Sequence, residues 1–283
     1  MYLSQKNYQL LHFPNAKINI GLFVTEKRPD GYHNLETIFY PVPMLKDALE
    51  VIPAAEGEDS SIRITGKQID GDAHQNLVWK ALQIIQAKFP ERVSSVKVHL
   101  LKSIPMGAGM GGGSADGSFM LRLLNKFFNL ELSDLAMSEL ALELGSDCPF
   151  FIYNSPHFAA GRGELLAPIH LDLSEYSLQI ICPKVHVSTA TAFSKIKPKE
   201  APFNLKMIEA LAIENWKHHI FNDFEEAIFD VHPLLAEIKD DLYKSGAVYA
   251  SMSGSGSALY GIFRKGEKLN MPEKINGEQY YFE

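Results

Sequence analysis

Between Pro105 and Ser114 the chain reads Pro-Met-Gly-Ala-Gly-Met-Gly-Gly-Gly-Ser, with five glycines in the seven positions from Gly107 to Gly113. Each glycine in ordered structure costs ~1 kcal/mol relative to alanine, so packing alone rarely demands this density. Without Cβ atoms the backbone can turn sharply and come close to a ligand. Val96, Val98 and Leu100 alternate with Lys97 and His99, which predicts a strand before the loop. Ser114 opens an apolar helix after it, with Phe119, Leu123 and Phe127 spaced four apart. A strand, a glycine loop and a helix N-terminus with unpaired N–H groups together make a site for an anion.

Several readings fit such a loop, a structural turn among them. Gly107, Gly109 and Gly112 match the dinucleotide pattern G-x-G-x-x-G. That unit needs a second strand after the helix, with an acid about 20 residues on. Here a second helix is predicted instead, capped by Ser133 and stopped by Gly145. The next strand is expected at Phe150-Phe151-Ile152-Tyr153. The Walker string G-x-x-x-x-G-K-[ST] does not occur. A nucleotide-phosphate loop of another kinase class is the remaining ligand reading.

At 283 residues the chain has room for two domains or one large one. A boundary is expected in Ala159–Gly163, giving domains 1–160 and 161–283. Hydrophobic residues at 46% and charged residues at 22% suit a packed core rather than disorder. The net charge of -7, with Lys and Arg scattered, offers no basic stripe for a nucleic-acid partner. Cys148 and Cys182 show no metal or disulfide spacing, which fits a reducing compartment. No signal-type segment precedes Pro14, and no apolar run approaches the ~20 residues of a membrane helix. The expectation is a soluble, cytoplasmic protein with no membrane partner.

Residues 13–24 read as a strand in which Lys17 and Asn19 share one face and Ile18, Ile20 and Leu22 the other. A turn at Pro29-Asp30-Gly31 leads through Tyr32 and His33 to a returning strand, Leu35 to Tyr40. Residues 76–89 suit a helix with Leu77, Ala81, Ile84 and Ile85 on one side. Strands are expected at Ser177–Cys182 and Ala258–Phe263, and helices at 204–213, 222–230 and 233–244. A second Gly/Ser loop runs from Met252 to Ser257, and no internal repeat is found.

Three segments in order resemble the GHMP kinases, the superfamily of galactokinase, homoserine kinase and mevalonate kinase. They are Pro14-Asn15-Ala16-Lys17-Ile18-Asn19-Ile20, the loop Pro105–Ser114, and Met252-Ser253-Gly254-Ser255-Gly256-Ser257. Closer marks are those of members that phosphorylate a cytidine-diphosphate-linked polyol of isoprenoid precursor synthesis. These are Pro29-Asp30-Gly31-Tyr32-His33-Asn34-Leu35, Leu144-Gly145-Ser146-Asp147-Cys148-Pro149-Phe150-Phe151, Gly161-Arg162-Gly163-Glu164 and Asn222-Asp223-Phe224-Glu225. The resemblance runs from about Pro14 to Phe263. It implies a two-domain α/β (α+β) fold, with an N-terminal ATP-binding domain like ribosomal protein S5 domain 2 and a ferredoxin-like C-terminal substrate domain. The active site is expected in the cleft between the domains.

The resemblance implies an ATP-dependent kinase with Mg²⁺. Lys17 and Asp147 take the catalytic roles, Asp147 as base and substrate contact and Lys17 as its cationic neighbour. A cation about 4 Å from a carboxylate interacts by ~4 kcal/mol at intermediate dielectric. On the residues alone, Asp147 could instead cap a turn and Lys17 could be a solvated lysine. Pro105, Met106, Gly107, Ala108, Gly109, Met110, Gly111, Gly112, Gly113, Ser114 and Ala115 would hold ATP. Substrate contacts are expected from Asn19, Tyr32, His33, Thr189, Phe193, Gly254 and Ser255. Tyr32 and Phe193 would stack on cytosine, His33 would read its edge, and a core role for either aromatic stays open. His186 departs from the small hydroxyl residue common in relatives, which touches the detail of the substrate pocket. No metal-ligand set is assigned, although the Ser114 hydroxyl is a candidate. A monomer or weak homodimer is expected. Another alcohol substrate, such as homoserine or a sugar, and a non-catalytic nucleotide-binding protein are the alternatives.

Overall fold

The computed structural model describes residues 10–68, 72–268 and 275–283. Its elements run β1 (Leu10–His12), β2 (Asn15–Lys27), β3 (His33–Lys46), β4 (Ala48–Pro53), β5 (Ser61–Gly66), α1 (Leu77–Lys88), β6 (Val96–Lys102), α2 (Gly112–Phe127), α3 (Asp134–Leu144) and α4 (Cys148–Tyr153). They continue with β7 (His157–Ala160), β8 (Leu165–Pro168), β9 (Tyr176–Pro183), α5 (Thr189–Ser194), α6 (Trp216–His219), α7 (Phe224–Val231), α8 (Pro233–Lys244), β10 (Tyr249–Met252), β11 (Leu259–Arg264) and β12 (Gly277–Phe282). Among the described residues three four-stranded sheets result, ordered β1-β4-β6-β5, β2-β3-β7-β8 and β10-β11-β9-β12. Among the described residues no helix is long and apolar enough to cross a membrane.

Contacts group the chain into two compact units. The first comprises the described residues up to Ala16, with Val42–Met106 and Gly111–Asn154; the second comprises Lys17–Pro41, Gly107–Met110 and Ser155–Glu283. This division departs from a single cut at residue 160. The hairpin residues Lys17–Pro41 group with the C-terminal half because β3 pairs with β7 (Thr37 opposite Ala159) and Leu22 bridges Asn222.

In the first unit, period and caps account for the elements. Asn76 caps α1 by accepting from the Val78 amide at 2.8 Å, and Val78, Ala81, Leu82 and Ile85 point into the core. Ser133 caps α3 as its sequence suggests. Val96, Val98 and Leu100 of β6 join Leu121, Leu124, Leu140 and Ile152 in one apolar cluster. Phe150–Tyr153 is helical in α4, not a strand. A four-residue apolar run carries no period of its own, and Pro149, in the first turn, suits a helix start while lacking the N–H a strand ladder needs.

In the second unit, β10-β11-β9-β12 is antiparallel throughout. Phe224, Ile228, Leu235, Ile238 and Leu242 of α7 and α8 pack with Ile181, Met252, Leu259 and Phe263. Residues 204–213 form short 3₁₀ turns, Leu205–Ala210 and Ile213–Asn215, instead of an α-helix. Buried Leu205 and Ile208 are three apart, which is the 3₁₀ repeat.

Candidate active site

The glycine loop leaves β6 at Lys102 and enters α2 at Gly112, two residues before Ser114. Gly111 is the N-cap in the left-handed region (φ 68°), and no side chain caps the helix. The amides of its first turn therefore have no intrahelical acceptor and suit an anion. Both ends of the loop are fastened within the first unit. Strand alternation carries Lys102 onto the same side as Val96, Val98 and Leu100, where its side chain is fully buried. Its Nζ bonds Asp47 Oδ2 and meets Asp116 Oδ2 at 2.6 Å. Asp47 Oδ1 accepts the Ser103 and Ile104 amides at 2.5 and 2.9 Å. One buried ammonium thus links the strand end to the start of α2. Burial pushes the Asp116 carboxyl well above the usual carboxylate range; Lys102 opposes this, and neighbouring Asp47 adds to it. This triad escaped the sequence reading, although a lysine at a core-facing strand position signals a buried partner.

A cavity of about 560 Å³ lies beside the loop in the same unit. Ile64, Leu77 and Met106 give it apolar wall, Lys67 and Asn76 give polar groups, and Gly113 brings the loop to its edge. Residues 61–76 carried no sequence signal for a site, because the cavity is made by the meeting of β5, α1 and the loop. Asp147, half-buried, directly precedes α4 and makes no side-chain capping hydrogen bond to that helix. Ser118 Oγ holds the next carbonyl, that of Cys148, at 2.7 Å. Burial, with the nearby Asp147 charge, pushes the Cys148 thiol up to about 12, so this cysteine is a packing residue.

The second unit gathers Lys17, Asn19, Gly109 and the Met252–Ser257 loop. Lys17 is 3% exposed, so it is not a solvated lysine. Its Nζ donates to Asn19 Oδ1 at 2.5 Å and to the Gly109 carbonyl at 2.9 Å, and it stands 5.1 Å over the Phe39 ring. Asn19 is oriented in turn, donating from Nδ2 to Thr37 Oγ1 at 3.0 Å. Ser253 Oγ donates to the Gly109 carbonyl at 2.9 Å and accepts from the Asn19 amide at 3.2 Å. Gly109 has φ of 76°, and a Cβ there would collide with the Ser253 carbonyl, so only glycine fits. The carbonyls on either side are also taken: Ala258 N donates to Ala108 O at 3.1 Å, and Lys17 N to Met110 O at 2.9 Å.

The residues expected to contact the substrate lie in the same unit. Tyr32 follows the expected turn, is 56% exposed, and carries the Arg162 guanidinium 4.9 Å over its ring. His33 stacks on Phe193, with centroids 5.0 Å apart and planes at 23°, and Phe193 meets Phe224 edge-on. Burial, with Lys27 nearby, lowers the His33 pKa, which favours the neutral imidazole. Thr189 Oγ1 and Ser255 Oγ are 3.0 Å apart, with Gly254 next in the loop. His186 is exposed.

Residues 76–155 match the profile of the GHMP kinases N terminal domain, and residues 206–281 that of the GHMP kinases C terminal. A Bacteroides fragilis protein named 4-diphosphocytidyl-2-C-methyl-D-erythritol kinase is 49% identical over 261 residues, covering 92% of this chain and 94% of its own. A Porphyromonas gingivalis protein of the same name is 43% identical over 263 residues, covering 92% and 94%. A crystal structure of 4-(cytidine 5'-diphospho)-2C-methyl-D-erythritol kinase superposes with a TM-score of 0.74 at 30% identity, covering 89% of this chain and 90% of that one. Homoserine kinase from Cytophaga hutchinsonii shares the fold, with a TM-score of 0.70 at 15% identity, covering 100% of this chain and 97% of that one. With both family domains in sequence and near-half identity along nine-tenths of its length, the chain belongs to the GHMP kinases.

Proposed function

We propose that this kinase transfers the γ-phosphoryl group of ATP to the 2-hydroxyl of 4-(cytidine 5'-diphospho)-2-C-methyl-D-erythritol, a step of non-mevalonate isoprenoid precursor synthesis. The observation that carries the reading is 49% identity across 92% of the chain to a relative named for that substrate. ATP places its phosphates on the amides from Met106 to Ala115, and its base and sugar in the cavity walled by Ile64, Leu77 and Met106. The Ser114 hydroxyl, half-buried in the first turn of α2, has the donor chemistry that would help hold Mg²⁺ beside the phosphates, where the cation would supply charge neutralisation.

The Asp147 carboxylate accepts the proton of the attacking hydroxyl, whose oxygen bonds to the γ-phosphorus as the bond to the bridging oxygen breaks and ADP leaves. Lys17 steadies the charge gathering on the reacting oxygens, held in place by Asn19 and the Gly109 carbonyl. Tyr32 offers the exposed ring on which cytosine stacks, worth ~1–3 kcal/mol. His33 reads the base edge, and Phe193 backs the His33 ring. Gly254, Ser255 and Thr189 face the diphosphate and polyol. The compartment that fits ATP and this substrate is the cytoplasm.

ADP release in the presence of the cytidine-diphospho alcohol, homoserine and galactose in parallel tests the reading. Turnover with the first alone is expected. Comparable kcat/KM with either of the others would overturn the assignment.

A further inference from the structure

Asn222-Asp223-Phe224-Glu225 is a segment that no step of the reaction above uses. Asn222, 3% exposed, forms the bridge to Leu22 and stands two residues before the start of α7. Its Oδ1 accepts the Phe224 amide at 2.9 Å. Its Nδ2 donates twice, to the carbonyls of Met252 and Gly254, both at 2.8 Å. Glu225 takes hold of the same strand end: Oε1 accepts the Met252 amide at 2.8 Å and Ser251 Oγ at 3.0 Å.

The two carbonyls that Asn222 holds flank Ser253. That residue's hydroxyl binds the Gly109 carbonyl, to which Lys17 also donates. A line of contacts therefore runs from Asn222 to the Met252 and Gly254 carbonyls, along the backbone to Ser253, and by hydrogen bonds through the Gly109 carbonyl to Lys17. The chemistry at position 222 is narrow. Two carbonyls at one site need two donors from one nitrogen, with an acceptor on the same short side chain for the α7 amide, and only asparagine supplies these at this length. A carboxylate would set an oxygen against two carbonyl oxygens, and serine could serve only one of them.

We propose that Asn222 is a positioning residue for phosphoryl transfer, clamping the Met252 and Gly254 carbonyls so that Ser253 holds Gly109 in register with Lys17. The inference rests on the reading that Lys17 acts on the reacting oxygens.

Asn222→Asp and Asn222→Ala test it, with kcat, both KM values and the unfolding temperature measured for each. Both variants lower kcat by about tenfold to a hundredfold at temperatures where they are fully folded, as expected for a displaced catalytic group. The KM for ATP, whose base lies among residues of the first unit, changes less than kcat. The Asp variant has a further signature. Protonation of the new carboxyl restores one donor, so its kcat relative to the parent rises as pH falls from about 8 to about 6, whereas the Ala ratio stays flat. The charged neighbours are Asp223, paired with Lys199, and Glu225, paired with Lys239. Both pairs are present in parent and variants alike. Should neither variant fold, Ser253→Ala cuts the same line one link on and lowers kcat likewise. Lys17→Ala separates the two ideas. If it keeps full turnover, the role of Lys17 itself fails. If it is inactive while folded Asn222→Ala, or Ser253→Ala where that does not fold, keeps parental kcat, the positioning role is overturned alone.

Discussion

Replacing Asp116 by asparagine removes one ionisable group from the buried triad and keeps its shape. Asp116 shares the Lys102 ammonium with Asp47, and its Oδ1 is buried without a hydrogen-bond partner. Burial raises its folded-state pKa well above the usual carboxylate range. A group with a raised folded pKa lends its full stability below the unfolded value and loses it as pH rises toward the folded one. Over that window the unfolded chain has released a proton that the folded chain retains. Each retained proton costs about 1.4 kcal/mol of stability per pH unit. The asparagine variant has no such proton, so the free-energy difference between variant and parent should shift by about 1.4 kcal/mol per unit in the variant's favour from about pH 5 upward, until the folded pKa is reached. Titrating groups away from the triad are common to both proteins and drop out of the difference. Denaturant titration followed by Trp79 reads the right unit, since this residue packs on the first core. A Trp216→Phe background removes the only other tryptophan. A difference that stays constant between about pH 5 and about pH 8 would mean that Asp116 is ionised in the fold, and would refute the reasoning.

Lys17→Ala and Asp147→Ala should each abolish turnover while circular dichroism and the unfolding transition stay near those of the parent; parental kcat in either removes that residue from the mechanism. The Cys148 thiol, pushed up to about 12, should resist a thiol reagent in the native protein near pH 8 and react once the chain is denatured. Fast native labelling mapped to Cys148 by mass spectrometry would contradict its burial.

The sequence was legible where local rules and tertiary packing agree. The Pro29-Asp30-Gly31 turn, the Ser133 cap and the alternation of β6 each state their conformation within a few residues, and each stands in the structure. The four apolar residues Phe150–Tyr153 do not, since a strand and a helix of that length look alike and only Pro149 tilts the choice. Lys17, Asp147 and the two loops stand in recognisable motifs. What holds them was not legible: Lys102 with Asp47 and Asp116, and Asn222 with Met252 and Gly254, join residues 14 to 55 positions apart. The cavity beside the loop is likewise shaped by segments that carry no common pattern. The second-unit residues Lys17–Pro41 precede any boundary that composition marks, because strand pairing, not chain order, assigns them.

Three successive carbonyls of the glycine loop, those of Ala108, Gly109 and Met110, are each engaged by residues of the second unit. In a trans peptide plane the carbonyl and the following N–H point in opposite directions. Capturing those oxygens therefore turns the amides of Gly109, Met110 and Gly111 away from their captors. The orientation of these donors is settled when the chain folds, before any nucleotide arrives. In the proposed function, a triphosphate meeting these amides would not have to reorganise the backbone, and its binding free energy would be left for holding the terminal phosphorus in line with the acceptor.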